Sequence, residues 1–323
     1  MKRILLGLLA FLGIGIVLLG GGLLWAHVSL RGERTPLPAS DRVPAALAAD
    51  SDGPVRLSWI NSASQDMPRS GVLDPQLDPT PGAPYRMSHP SFVLEWADGR
   101  VLLVDLGMSQ DEARNFGAGA ELIGARPIEP HTPTAAQLGA RADDVEGVLF
   151  SHLHHDHVDG ITALCEGRSR PLRVFGTKAQ LTRPNYLTTR GLDILNEAGC
   201  VELVPLEEGN PLEPVPGFPG VRVIAAAGHT PGSQIVVARV GDGESAKSYA
   251  FTGDIVNIRD GVRHDLPKPW IYSTLVVPED TDRLGEVRRF LRRLHQDEDV
   301  TLLVQHDELS IQETGVPRWA GAP

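Results

Sequence analysis

The segment Ser151-His152-Leu153-His154-His155-Asp156-His157 constrains this chain more than any other, because it places four histidines and a carboxylate within six residues. It follows an apolar run, Val145-Glu146-Gly147-Val148-Leu149-Phe150, that reads as a buried strand. If the strand continues to about His154, His152 and His154 point the same way, since strand side chains repeat every two residues. The two can then share one metal ion. Asp156 and His157 come after the chain turns towards a short helix near Val158, and they aim at a neighbouring point. Imidazole nitrogens and carboxylate oxygens suit zinc and related divalent ions. His155 alternates away from its neighbours and is expected to support the site without ligating.

The remaining candidate ligands also follow strand-like runs. Val221–Ala227 leads into Gly228-His229-Thr230-Pro231-Gly232, Ser248–Phe251 into Thr252-Gly253-Asp254, and Val300–Gln305 into His306-Asp307. Three further strands, each ending on a metal-ligand type, make a coincidental polar turn a poor account of the first cluster. The order H-x-H-x-D-H, G-H-T-P-G, T-G-D and a late histidine resembles the dinuclear hydrolases of the metallo-β-lactamase superfamily, over roughly residue 55 to the end. The resemblance implies an αββα four-layer sandwich with two divalent ions, most simply zinc, with iron or manganese as options, at one edge. It assigns His152, His154 and His229 to one ion and Asp156, His157 and His306 to the other, with Asp254 bridging. Asp105, in Leu102-Leu103-Val104-Asp105, corresponds to an aspartate that supports the site from behind.

The implied reaction is hydrolysis by a hydroxide held between the ions, with Asp156 also accepting a proton during turnover. Asp254 argues against classical β-lactamases, which lack an aspartate there, and His154 against the flavodiiron proteins. Lactonases and related esterases carry the same seven ligands, and they use a tyrosine after the T-G-D aspartate to contact the substrate carbonyl. Tyr272 is the matching candidate. The expected activity is therefore cleavage of a small-molecule ester or lactone. A phosphotriesterase or phosphodiesterase, or an iron-dependent oxidoreductase on the same ligands, is the alternative.

A net charge of −11 with no dense Lys/Arg stripe excludes the electrostatic footprint of a nucleic-acid binder. The two cysteines, Cys165 and Cys200, lie at no ligand position and read as unpaired buried thiols, with a disulfide as the alternative. Residues 4–26 are uncharged and rich in Leu, Ile and Gly, long enough for a bilayer span and longer than the apolar core of a cleavable signal. Residues 1–28 are therefore expected to be a transmembrane anchor, or alternatively a cleaved signal. Lys2 and Arg3 favour a cytoplasmic N-terminus, putting the catalytic domain outside the cytoplasm, on the periplasmic side in a bacterium.

Residues 29–54 read as a linker and 55–323 as the catalytic domain. The Pro- and Asp-rich segment 67–90 is long for a connection and could overhang the site. Asp98-Gly99 between apolar runs signals a hairpin. Leu284, Val287, Leu291 and Leu294 recur at helical spacing, which leaves Arg288, Arg289, Arg292 and Arg293 to a solvated face.

Overall fold

A computed structural model describes residues 15, 17, 19–30 and 34–321, except 208. Its strands are β1 (Arg56–Asp66), β2 (Arg86–Glu95), β3 (Val101–Val104), β4 (Glu129–Pro130), β5 (Val145–Leu149), β6 (Leu172–Gly176), β7 (Val201–Pro205), β8 (Glu213–Pro214), β9 (Val221–Ala225), β10 (Gln234–Val240), β11 (Lys247–Phe251) and β12 (Thr301–Leu303). They form a seven-stranded sheet in the order β4-β1-β2-β3-β5-β6-β7 and a five-stranded sheet in the order β12-β11-β10-β9-β8.

The period-2 alternation of apolar residues builds the layers. In β3, Leu102 and Val104 join the core between the sheets, with Phe92, Phe175, Val223, Val236 and Phe251, whereas Val101 and Leu103 face outward. In β10, Val236, Ala238 and Val240 point inward, while Ile235 and Val237 point out. The outer face of the large sheet is covered by α3 (Thr134–Leu138), α5 (Ile161–Cys165) and α6 (Thr189–Glu197) through Leu138, Ile161, Leu164, Ile194 and Leu195. The outer face of the small sheet is covered by α7 (Thr281–Asp297) through Leu284, Val287, Phe290, Leu291 and Leu294. Each such fully buried side chain stabilises by about 1.5–3 kcal/mol. The result is helix, sheet, sheet, helix, and the hairpin at Asp98-Gly99 joins β2 to β3 as expected, with Gly99 at φ 93°.

Strand direction gathers the sequence motifs at one edge. β9 and β11 both run antiparallel to β10, and β12 runs parallel to β11, so the ends of β9, β11 and β12 emerge together. Those ends lead into His229, Asp254 and His306. In the other sheet β3 and β5 are parallel, and their ends lead into Asp105 and His152.

Four expectations change. The segment 29–54 is not a plain tether: α1 (Arg42–Ala48) buries Val43 and Leu47 in the outer core of the small sheet, because their i,i+4 spacing forms an apolar stripe. β5 stops at Leu149, and the chain from Phe150 to His154 is an irregular loop that bends at Ser151 and His152. Arg288 is buried and paired with Asp265 at 3.2 Å. Cys165 and Cys200 form a disulfide, their Cα atoms 5.4 Å apart, because the end of α5 lies beside the turn that precedes β7. Most of the apolar run 4–26 lies outside the described residues. Among those described, no helix is long and apolar enough to cross a membrane.

Candidate metal centre

Turn chemistry at the strand ends aims the polar side chains. In Thr252-Gly253-Asp254, Gly253 has φ 53°, and a Cβ there would come within 2.7 Å of the Ser151 Cβ, so only glycine lets this turn lie against the histidine loop. In the Gly228–Gly232 turn, a Cβ on Gly232 would meet the Gln180 backbone at 2.1 Å. His154 caps α4 (His155–Val158) with an extended backbone, and Asp156 and His157 sit in that helix.

Three overlapping buried groups result: His152, His154, His229 and Asp254; His157, Asp254 and His306; and His89, Asp156 and His306. Asp254 belongs to the first two. Its Oδ2 faces His229 Nε2 at 3.6 Å, while its Oδ1 faces His306 Nε2 at 3.1 Å and His157 Nε2 at 3.4 Å. Asp156 Oδ2 lies 3.5 Å from both His157 Nε2 and His306 Nε2. All seven residues named from the sequence converge here.

The surrounding hydrogen bonds fix which imidazole nitrogen faces inward. His306 Nδ1 meets the Ser88 carbonyl at 2.8 Å, so it must donate, which leaves the Nε2 lone pair free. Ser151 Oγ donates to Asp105 at 2.9 Å and can accept from His152 Nδ1 at 3.1 Å, leaving His152 Nε2 without a protein partner. His157 Nδ1 donates to Asp105 at 3.1 Å. Asp105, at φ 56°, also accepts from the Ser151 amide and from Gln305, so its role behind the site is as the resemblance implied.

His229 Nδ1 is 2.6 Å from Glu279, which also accepts from Ser273 and from the buried Lys268, both at 2.6 Å. Lys268 donates in addition to the Asp254 carbonyl at 2.6 Å. Glu279 and Lys268 carry no spacing signal relative to the motif. Their meeting depends on the chain returning after Asp254, and sequence reasoning passed over both.

Electrostatics suit a cation. Burial, reinforced by their histidine neighbours, pushes His152 and His154 well below the usual imidazole range, keeping them neutral. Burial opposes ionisation of Asp254, but His306, His152 and His157 outweigh it and hold its carboxyl well below the carboxylate range. Burial likewise opposes charge on His157, yet Asp156 and Asp105 lift it, so the carboxylates draw positive charge to this point. The nitrogens of His154 and His229 approach to 3.2 Å and those of His157 and His306 to 3.3 Å. Two nitrogens each ~2.1 Å from one tetrahedral ion would lie ~3.4 Å apart, so the donor spacing fits divalent metal.

The groups open into a cavity of about 880 Å³ whose wall includes Met67, Met87, Phe116, Ile123, Trp270 and Tyr272. Segment 67–90 does overhang the site. It is pinned by the buried Arg69, which binds Asp78 through two hydrogen bonds of 2.8 and 2.9 Å and Asp260 through one of 2.9 Å. Tyr272 opens a π-helical turn, Tyr272–Val276, with Lys268 Nζ 5.1 Å from its ring centroid. Burial, then Glu279 and Asp254, raises its phenol well above the ordinary range. His155 pairs with Glu112 at 3.3 Å on the cavity wall. His89, not foreseen, is buried against Phe116, with Nδ1 3.4 Å from Asp156 and neither ring nitrogen hydrogen-bonded.

The sequence profile of the metallo-beta-lactamase superfamily matches residues 84–306, more than half of the chain. The chain belongs to this superfamily. No curated protein matches it. Among solved structures, the superfamily fold recurs in an AiiA variant from B. thuringiensis with N-decanoyl-L-homoserine at its active site. That structure is 19% identical, with a TM-score of 0.57 over 83% of this chain and 98% of the other. A probable metal-dependent hydrolase from Staphylococcus aureus is 17% identical, with a TM-score of 0.55 over 80% and 91%. AidC, a dizinc quorum-quenching lactonase, is 12% identical, with a TM-score of 0.51 over 80% and 92%. At these identities the likeness is one of fold.

Proposed function

We propose that this superfamily member is a dinuclear metal-dependent hydrolase that cleaves an ester or lactone of a small molecule. The observation that carries this is Asp254, whose two oxygens divide between two histidine groups as a bridging ligand requires. His152, His154 and His229 would hold one ion, and Asp156, His157 and His306 the other, with zinc best suited to this donor set. When bound, such a pair would supply a Lewis acid for the substrate carbonyl and would lower the pKa of water towards neutrality.

The chain's own groups do the rest. Asp105, Ser88 and Glu279 hold the imidazoles in the tautomer that presents a lone pair inward. Asp156 accepts and passes on a proton, and the Tyr272 phenol donates to the carbonyl oxygen as charge develops there. The apolar wall holds the rest of the substrate and excludes water, in keeping with lactonase relatives whose products carry acyl chains. The uncharged run at residues 4–26 anchors the chain in a membrane with the catalytic domain outside the cytoplasm. The disulfide supports that placement, because such bonds persist in oxidising compartments.

Metal stoichiometry of the full chain, paired with hydrolysis of a panel of lactones and esters, tests the reading. About two ions per chain with turnover is the expected result. Iron without hydrolysis would favour an oxidoreductase on the same ligands, and full activity in Asp254→Ala would sink the dinuclear site.

A further inference from the structure

Large exposed apolar side chains are confined to a few places. Apart from Tyr186 and Leu309, those among the described residues lie on the N-terminal helical stretch, on segment 67–90, at the end of α2 (Gln110–Glu121), or on residues 270–276. The last three surround one opening. Gln76, Leu122, Ile123, Trp270, Ile271 and Val276 all line the cavity that holds the candidate metal centre. Leu122 is 88% exposed, Trp270 68% and Leu275 54%, values unusual for such residues grouped together on a soluble surface.

The N-terminal helical stretch, residues 19–30, meets this same rim. His27 Nε2 lies 3.1 Å from the Thr274 carbonyl, inside the π-helical turn, and Ala26 and Leu30 are buried, while Leu24, Trp25 and Val28 face outward. Residues 19–26 of this stretch are the last part of the uncharged run of residues 4–26.

We infer that the apolar rim of the cavity, built around Trp270, Ile271, Val276, Leu122 and Ile123, together with Leu275 exposed in the same π-helical turn, is a bilayer-docking surface. Through it the mouth of the site rests on the lipid in which the N-terminal run is embedded. The inference rests on the anchor proposed above. An anchored chain whose helix touches Thr274 brings residues 270–276 to the level where that helix enters lipid. A second copy in the same membrane would approach from the side and would not cover a face turned to the bilayer.

Trp25 and Trp270 suit the headgroup boundary, where an aromatic ring keeps one apolar face in lipid and a polar edge in water. With a net charge of −11 the chain has no general attraction to anionic lipid, so apolar insertion into a zwitterionic surface drives the contact. The substrate class that follows is an ester- or lactone-bearing amphiphile already partitioned into the bilayer. Its polar group moves up to the donor cluster while its apolar part stays against the rim.

The test uses the full chain in phosphatidylcholine vesicles, with an environment-sensitive fluorophore on Leu275→Cys and, as a control, on the exposed Glu202→Cys of the edge strand β7. The native cysteines are paired and leave the new thiol as the labelling site. Doxyl-phosphatidylcholine should quench the label at 275 several-fold and leave that at 202 nearly unchanged. Protein retained on vesicles with no quenching at 275 would overturn the docking surface and leave the anchor standing. Protein that does not float with vesicles would overturn both. Intermolecular disulfides through Leu275→Cys without lipid quenching would give the rim to a second copy and refute the inference.

Discussion

Glu279→Gln isolates a dependence that neither sheet alone explains. The carboxylate is fully buried and serves three partners at 2.6 Å: the Nδ1 of His229, the Lys268 ammonium and the Ser273 hydroxyl. Burial opposes its charge, yet Lys268 and His229 outweigh that and lower its pKa. An amide of the same shape leaves the buried Lys268 with the Asp254 carbonyl as its remaining strong acceptor. Removing one member of a buried ion pair costs about 3–5 kcal/mol, because the other charge is left uncompensated. For a domain of this size that is a drop in Tm on the order of 10 °C. Loss of the carboxylate behind His229 should also weaken metal binding by about 10- to 100-fold. Thermal unfolding with and without excess zinc, together with chelator competition, separates the two effects. Glu279→Gln/Lys268→Met should regain much of the stability and none of the metal affinity. If Glu279→Gln binds zinc as tightly as the parent and melts at the same temperature, the coupling of these groups to the site is refuted.

His154→Ala should lower metal content and hydrolysis together, read by elemental analysis and initial rates. Tyr272→Phe should reduce kcat on the order of 100-fold, the usual cost of losing one donor to a developing oxyanion, with metal content unchanged. The Arg69 guanidinium outweighs the effect of burial and holds the Asp78 carboxyl below the ordinary carboxylate range. The stability it contributes is therefore full above an unfolded pKa of about 3.9 and is lost as pH falls through the lower folded value. Segment 67–90 should become protease-sensitive in that acid window, and Asp78→Asn should be sensitive already at neutral pH. Reduction of Cys165–Cys200, which closes a separation of 35 residues, should lower stability by about 3–4 kcal/mol in denaturant titrations.

What the sequence revealed depended on periodicity and on ligand type. The apolar runs that became β3 and β5, the apolar face of α7 and the turn at Asp98-Gly99 are local patterns, and each formed where the sequence indicated. His152, His154, His229, Asp254 and His306 were legible because each follows an apolar run, and strand direction then carries them to one edge. Glu279, Lys268 and His89 were not legible, since their significance depends on contacts across the fold and each looks ordinary in its own stretch. The cysteine pairing stood only as the alternative for the same reason, as spacing alone cannot report that α5 ends beside β7. The α1 helix was missed although its signal was present: Val43 and Leu47 sit at helical spacing within a segment whose proline and alanine content suggested a tether.

The walls of the cavity and its floor come from different stretches of chain. The floor is drawn from the loop at 152–157 and single residues at 229, 254 and 306, whereas Met67, Ile123 and Trp270 belong to connections that supply none of those donors. Selection can therefore lengthen, shorten or repolarise the walls while the reactive centre stays as it is. On this architecture, relatives with the same donors can differ widely in what they accept, and a graft of residues 70–77, which leaves Arg69, Asp78 and Tyr272 in place, is the economical route to a new preference.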